Sequence, residues 1–266
     1  MGTIKGKFIK GVAGSLVFRE YRGLQIVQGK PRVSKSHRTE GTKNAATTFG
    51  KASKLAGGIR TGLSHVCEKF YDGTMSYRLN AEVLRCLNAA KDKETQQFNF
   101  NPESFSSLAG FEFNVGSMVK NNFFVQPTVE IDGTVLRVTI PDIQIPAGLK
   151  WPIDRPKCCK LLMVTNIIDL PNGCADYGKT QVMDIPYTYD SSIVAGQSFE
   201  FEILPGCLCI TGISLQYVEQ TFIGDNTVNS KTFNPSAILY ARIADGTPEP
   251  TPKKNWFEFD RKGYRD

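Results

Sequence analysis

The spacing of apolar residues changes along the chain, and the first pattern is strand-like. Two apolar runs, at residues 15–18 and 24–27, flank a polar turn at residues 21–23, which predicts a β-hairpin. A lone two-stranded hairpin is only marginally stable in water, so this one is expected to pair with another element or another subunit. Pro31 ends the second strand, because proline cannot donate to a sheet ladder.

A helical repeat follows a polar and basic stretch at residues 32–42. Apolar residues then recur every three or four positions in one continuous stripe, which comprises Ala45, Phe49, Ala52, Leu55, Ile59, Leu63, Val66 and Phe70. Several glycines interrupt this predicted helix, and each costs up to ~1 kcal/mol relative to alanine. The helix therefore needs tertiary packing, and its small residues allow close approach by another element. A second stripe from Met75 to Ala90 predicts a second helix and thus a helical hairpin.

From about residue 98 the period becomes two, which is typical of half-buried strands. The pattern predicts strands at residues 128–131, 134–140, 160–165, 198–203, 207–218 and 237–243. Alternation places Glu200 and Glu202 on a solvent-facing side, with Phe199 and Phe201 inward. The sequence therefore predicts an α+β fold, in which an N-terminal β-hairpin arm and a helical hairpin precede an antiparallel immunoglobulin-like β-sandwich.

The end of the chain has a different composition. Residues 246–254 form a Pro-rich spacer, which is expected to be extended, and four aromatic residues follow among charges. Such a cluster would either fold back onto its own domain or dock on a neighbour. The expected segments are a hairpin arm (1–31), a basic linker with the helical hairpin (32–97), the β-sandwich domain (98–244) and the Pro-rich aromatic tail (245–266).

Charge is unevenly distributed along the chain. Residues 1–80 carry 15 lysines and arginines against 4 acidic residues, a net charge of +11, whereas residues 81–266 carry 17 against 22. Three interpretations stay open: attraction to nucleic-acid phosphates, contact of a basic arm with the acidic body of a neighbouring copy, or a solvated face. The candidate basic patch consists of Lys5, Lys7, Lys10, Arg19, Arg22, Lys30, Arg32, Lys35 and Arg38.

Few residues are available for catalysis or metal binding. Only two histidines are present, His37 in the basic linker and His65 on the predicted helix, and serine or cysteine nucleophiles usually need a histidine base. The sequence lacks the nucleophile-elbow and phosphate-loop motifs. We therefore expect no enzymatic activity, no catalytic residue, no cofactor and no small-molecule substrate.

The seven cysteines are an odd number without a disulfide-like spacing. The favoured interpretation is unpaired thiols in a reducing compartment. A metal site formed by Cys158, Cys159, Cys207 and Cys209 is the alternative, although no C-x-x-C pair supports it.

The 266 residues have an apolar fraction of 41%, which is sufficient for a globular core. No run approaches the ~18 apolar residues of a transmembrane helix, and the N-terminus lacks the apolar segment of a signal peptide. The expected localisation is cytoplasmic by default, with no membrane insertion. Non-classical export and a virus-like particle remain alternatives.

Several segments resemble an uncharacterised protein family of the Bacteroidota. The N-terminal similarity lies in Gly11-x-x-Gly14, Leu16-Val17-Phe18, Tyr21-Arg22-Gly23 and Lys30-Pro31, followed by Thr39-Glu40, Phe49 and the small residues 52–56. Later similar segments are residues 160–166, 199–204 and 233–240. The resemblance covers most of residues 8–243. It implies a Gly-rich N-terminal hairpin, a small-residue helix and a C-terminal β-sandwich, and it supplies no activity.

These observations favour a non-enzymatic structural or interaction protein that self-associates, as a homo-oligomer such as a filament or tube, by exchanging its N-terminal arm and C-terminal tail. The candidate self-association residues are Leu16, Val17, Phe18, Leu24, Ile26, Val27, Trp256, Phe257, Phe259 and Tyr264. One alternative is a nucleic-acid-binding protein that uses the basic N-terminal third. A second alternative is a carbohydrate- or surface-binding β-sandwich with a site on the loop from Asp142 to Trp151.

Overall fold

The computed structural model describes residues 3–21, 23–30, 39–67, 70–152, 158–222, 224–249 and 255–264. Contacts divide the chain into two compact units, Met1–Ala46 and Thr47–Asp266. The predicted helices, strands and aromatic tail therefore fall largely within one unit, a grouping that differs from the four segments expected from the sequence.

The first unit contains a four-stranded antiparallel meander. Its strands, in spatial as well as chain order, are β1 (Thr3–Lys5), β2 (Phe8–Ala13), β3 (Leu16–Tyr21) and β4 (Leu24–Gly29). The predicted hairpin is β3–β4 and is confirmed. The hairpin was expected to pair with another element or another subunit, and β2 of the same unit pairs with β3. Gly11 and Gly14, both at positive φ, interrupt the apolar pattern that would otherwise have indicated the additional strands.

In the described part of the chain, three α-helices follow: α1 (Glu40–Gly62), α2 (Ser64–Cys67) and α3 (Met75–Ala90). The second predicted helix is confirmed as α3. The predicted continuous helix from residue 45 to residue 70 is wrong, since α1 ends at Gly62 and a short α2 follows. The end of α1 coincides with a close approach, because a Cβ on Gly62 would lie 2.2 Å from the Asn166 side chain.

The described residues of the second unit also contain twelve strands of very different lengths. They are β5 (Thr128–Asp132), β6 (Val135–Ile140), β7 (Ile143–Ile145), β8 (Cys158–Asp169), β9 (Cys174–Ala175), β10 (Lys179–Pro186), β11 (Ser192–Val194), β12 (Gln197–Glu202), β13 (Leu208–Thr221), β14 (Gly224–Thr227), β15 (Ser236–Ile243) and β16 (Phe257–Glu258). In the main sheet, β8 and β13 pair with each other along most of their length. Strands β14 and β15 pair with β13, β9 and β10 pair with β8, and β16 pairs with β9. A three-stranded sheet has the order β12-β6-β5, and β7 pairs with β11.

The main sheet is buried on both faces. Val164 and Ile168 of β8 share one apolar core with the helices, whereas Leu161 and Met163 share a second core with the three-stranded sheet. Burial on both sides explains why residues 161–164 form an uninterrupted apolar run within the predicted central strand 160–165. The observed class is α+β with antiparallel pairing in its sheets.

Residues 255–264 pack against the chain's own second unit. The Tyr264 hydroxyl donates to the Lys51 carbonyl at 2.7 Å, and the buried Asp260 carboxylate lies 2.8 Å from Lys54 Nζ. Phe259 packs on Gly58 of α1, where a Cβ would lie only 3.1 Å from its ring. This contact confirms that small residues in α1 allow a close approach.

The tail residues therefore take the first of the two expected arrangements. The assignment of Trp256, Phe257, Phe259 and Tyr264 to self-association is corrected, because all four pack on or near the cores of their own chain.

Candidate interaction surface

The described residues of the N-terminal sheet form no buried core of their own. Every described side chain in the first unit is at least partly exposed to solvent, including those of β1 to β4. A sheet of this size normally becomes stable by burying an apolar face against another layer. This sheet is therefore the leading candidate for contact with another molecule.

Apolar side chains lie on both faces of this sheet. Residues that pair across an antiparallel ladder share a face, so the first face carries Val12, Val17, Tyr21, Leu24 and Ile26. The second face carries Ala13, Leu16, Phe18 and Val27. Leu24 is 65% exposed and Val27 is 50% exposed, so apolar surface on each face is open to solvent.

Polar contacts tie the β1–β2 hairpin to the second face. The Gln25 side chain accepts a hydrogen bond from the Ile9 N–H at 2.7 Å and donates to the Ile9 carbonyl at 3.0 Å. Lys10 Nζ lies 2.7 Å from the Glu20 carboxylate. Both Glu20 and Gln25 pair across β3 and β4 on that face. These contacts hold the strands of the meander together but leave its apolar side chains at least partly exposed.

The outer edge of β4 is a strand edge without the usual protection. Tyr21 and Leu24 are the last pair of the β3–β4 ladder, so alternation directs the N–H and C=O groups of Gln25, Val27 and Gly29 away from β3. Within the described residues, no strand pairs with this edge. Natural sheets protect their edges with lysine, proline or a bulge. β4 contains neither a charged residue nor a proline.

The structure brings six of the predicted self-association residues together on β3 and β4: Leu16, Val17, Phe18, Leu24, Ile26 and Val27. The predicted basic patch is less uniform. Lys5 lies in β1, Lys7 Nζ lies 5.4 Å from the Phe8 ring centroid, Lys10 is paired with Glu20, and Arg19 and Lys30 are exposed. Arg22, Arg32, Lys35, Arg38 and His37 lie outside the described residues.

Sequence reasoning missed a groove of about 800 Å³ in the second unit. Lys54, Gly57, Arg60, Tyr71, Tyr177 and Phe257 are among its lining residues. The Tyr177 and Phe257 ring centroids are 5.0 Å apart, and the buried Arg60 Nη1 has no hydrogen-bond partner among the described residues. A guanidinium beside aromatic rings suits planar anionic groups. The Gly57-Gly58 pair was the sequence signal, but the groove also needs the C-terminal residues.

Four of the cysteines lie in surroundings that raise the thiol pKa and so favour the thiol over the thiolate: Cys86, Cys158, Cys159 and Cys209. All seven are within the described residues, and each is present as a thiol rather than a disulfide. Burial raises the pKa of Cys209 to about 12 and holds the pKa of Cys159 well above its usual range. Because the thiolate is the nucleophile and the metal ligand, this environment disfavours both roles. In the described part of the chain, no group of three His, Cys, Asp or Glu side chains is placed to hold a metal ion.

Two further sequence expectations concern the part of the chain predicted to be a sandwich. Glu200 and Glu202 are exposed on β12, as the alternation predicted. Trp151, at the end of the loop named for the carbohydrate-binding alternative, packs edge-on against Tyr187 at 4.9 Å and Tyr217 at 5.6 Å. It therefore belongs to an aromatic framework.

Taken together, the fold and this surface define an α+β protein with an N-terminal sheet whose described side chains are all at least partly exposed. Comparison with protein-family models, with curated proteins and with solved structures finds no match for this chain. None of the helices in the described ranges combines the length and apolar character needed to cross a membrane.

Proposed function

We propose that this protein is a non-enzymatic structural protein that self-associates through its N-terminal sheet, β1 to β4. The observation that carries the proposal is a four-stranded sheet with apolar side chains on both faces and no buried residue among those described. A second copy would cover this surface. The assembled form that follows from repeated contacts is a filament or tube.

The free energy gained by burying apolar side chains can be compared with the cost of association. Fully burying a leucine or valine contributes about 1.5–3 kcal/mol, so covering the partly exposed side chains of one face would supply roughly 5 kcal/mol. Association itself costs on the order of 4–15 kcal/mol in lost freedom of motion. Apolar burial alone is therefore marginal, and backbone hydrogen bonds along the β4 edge are part of the proposed contact.

The opposite net charges of the two units support contact between copies of the chain. The first unit carries 10 lysines and arginines against 2 acidic residues, and the second carries 22 against 24. Opposite net charges of +8 and −2 favour contact between the first unit of one copy and the second unit of another. Nucleic-acid binding by the basic residues remains the alternative, but it leaves the apolar faces of the sheet unexplained.

We also propose that the main sheet and the three-stranded sheet form an immunoglobulin-like sandwich, and that the protein is cytoplasmic. Neither is needed for self-association through β1 to β4.

Replacing Leu24 with lysine should weaken self-association at least tenfold, because a charged side chain would replace a 65% exposed apolar one on the first face. Sedimentation velocity of the full chain across a concentration series measures the midpoint of assembly, and electron microscopy shows its form. Tyr189→Lys is the matched control, since Tyr189 lies on the second unit and is 77% exposed. A wild-type protein that stays monomeric at every concentration contradicts the proposal. Salt-dependent binding to DNA in place of assembly would favour the nucleic-acid alternative.

A further inference from the structure

We infer that the β4 edge of one copy pairs with the β5 edge of a neighbouring copy. The inference rests on the proposed self-association and identifies its second surface. The partner is a second copy of this chain, and the contact is strand addition between two different edges.

Strand β5 offers an open acceptor edge. Among the described residues it pairs with β6 alone, at the end of the three-stranded sheet. The two-residue turn after Asp132 places that residue opposite Val135, so alternation directs the N–H and C=O groups of Val129 and Ile131 outward. Two residues with outward-facing groups provide up to four backbone hydrogen bonds. Pro127 lies just before the strand and limits the edge on that side.

Two other edges in the second unit are covered by the chain itself. The β15 edge is bonded by the segment before β5, where the Gly110 N–H donates to the Ile238 carbonyl and the Ile238 N–H donates to the Phe111 carbonyl, both at 2.8 Å. The far side of the three-stranded sheet is bridged to β10, because Gln181 Nε2 donates to the Glu200 carbonyl at 2.6 Å. β5 has no comparable cover in the described structure.

Charge distinguishes β4–β5 pairing from pairing of β4 with its own copy. β5 carries the exposed carboxylates of Glu130 and Asp132 and no cation, whereas β4 is uncharged and is flanked in sequence by Arg22 and Lys30. Pairing two β4 strands would bring together two first units of net charge +8. The carboxylates would also oppose pairing of β5 with another β5. Complementary charge therefore favours the unlike pair.

Pairing of unlike edges has a defined consequence for assembly. Each copy would retain a free β4 or a free β5 after one contact, so the contact adds further copies in a line. A two-fold contact between like edges would instead stop at the dimer. The two arrangements can be separated by mixing variants that each lack one edge.

The test uses two full-length variants. Val27→Pro removes an outward N–H from β4, and Glu130→Lys with Asp132→Lys reverses the charge of β5. Each variant alone is expected to raise the midpoint concentration for assembly at least tenfold. An equimolar mixture is expected to form heterodimers and no larger species, because one intact β4 and one intact β5 remain between them. Sedimentation velocity and native mass spectrometry measure these masses.

Controls separate loss of the contact from loss of the fold. Glu94→Lys with Asp190→Lys makes the same charge change at two exposed positions outside β5 and should assemble like the wild type. Val27→Lys is a second β4 variant, matched by Val182→Lys on β10, because the two valines are 50% and 45% exposed. Circular dichroism melts of all variants should match that of the wild type.

The outcomes distinguish the inference from the function on which it rests. If the β5 variant assembles like the wild type while both β4 variants do not, β4 pairs elsewhere, so the inference is overturned and self-association stands. If the mixture gives no heterodimer, unlike-edge pairing is also overturned. A monomeric wild-type protein removes both proposals.

Discussion

Replacing Gly173 with alanine is expected to destabilise the second unit by about 3 kcal/mol or more, through a backbone clash together with conformational strain. Gly173 lies at φ +64°, and an added Cβ would lie 1.9 Å from the Asp260 carbonyl oxygen. The Gly173 carbonyl also accepts hydrogen bonds from the N–H groups of Phe259 and Asp260, both at 3.0 Å. The tail must therefore shift away from this turn when a side chain is present.

The matched control is Gly133→Ala. Gly133 has a similar φ of +59°, but an added Cβ at this position would meet nothing within 4 Å. The strain of a left-handed residue alone costs about 1–2 kcal/mol. Urea unfolding of both variants should show the larger loss for Gly173→Ala, with faster proteolytic cleavage after residue 249. Equal losses would mean that contact with Asp260 contributes nothing.

Replacing Asn229 with alanine is expected to cost about 3 kcal/mol, because two buried backbone groups would lose their partners. Asn229 accepts a hydrogen bond from the Tyr217 N–H at 2.7 Å and donates to the Leu215 carbonyl at 2.8 Å. It lies beside the interval of β13 between Ser214, where the pairing with β15 stops, and Val218, where the pairing with β14 starts. In this interval the Asn229 side-chain amide makes the hydrogen bonds to β13 that the backbone of a neighbouring strand would otherwise make.

Thermal and urea unfolding measure this effect. The control is Asn226→Ala, at an exposed position on β14, which should change stability by no more than about 0.5 kcal/mol. Asn229→Asp is informative as well, since it retains an acceptor for the Tyr217 N–H and loses the donor to Leu215. Because its carboxylate would be buried against the Leu215 carbonyl oxygen, a loss at least as large as that of Asn229→Ala is expected for that variant. Coincident unfolding curves for wild type and Asn229→Ala would contradict the proposed role of the amide.

The predictions that agree with the structure depend on contacts near in sequence. The β3–β4 hairpin follows from a short turn between two apolar runs, and α3 follows from a regular repeat with no glycine in it. The pair β5–β6 follows from alternation on both sides of a glycine turn. In each case the residues that determine the element lie within a few positions of one another.

The features that sequence reasoning missed depend on distant residues. The close approach that accompanies the end of α1 involves Asn166, and the tail is held by Lys51 and Lys54, more than two hundred positions away in the chain. The groove beside Arg60 combines α1 with the same distant tail. No local pattern identifies such partners, because the same aromatic tail residues fit a neighbour equally well.

The proposed interaction surface shows the same division. The six apolar residues of β3 and β4 were predicted from two apolar runs on either side of a short turn. The open edge of β5 is a property of strand order, which depends on where β12, β6 and β5 lie in the sheet. The periodicity of the sequence predicted strand β5 but contained no information about which of its edges has no partner strand in the described structure.

The Gln25 contacts with Ile9 have a consequence for kinetics. Because they hold β1 and β2 against the hairpin before any partner arrives, the sheet is a preformed surface and little chain ordering remains for the encounter. The rate of assembly should then be set by how often copies collide. It should depend only weakly on denaturant concentration below the unfolding transition. Gln25→Ala would convert this step to folding coupled to binding, so association would slow while the exposed apolar residues stayed the same.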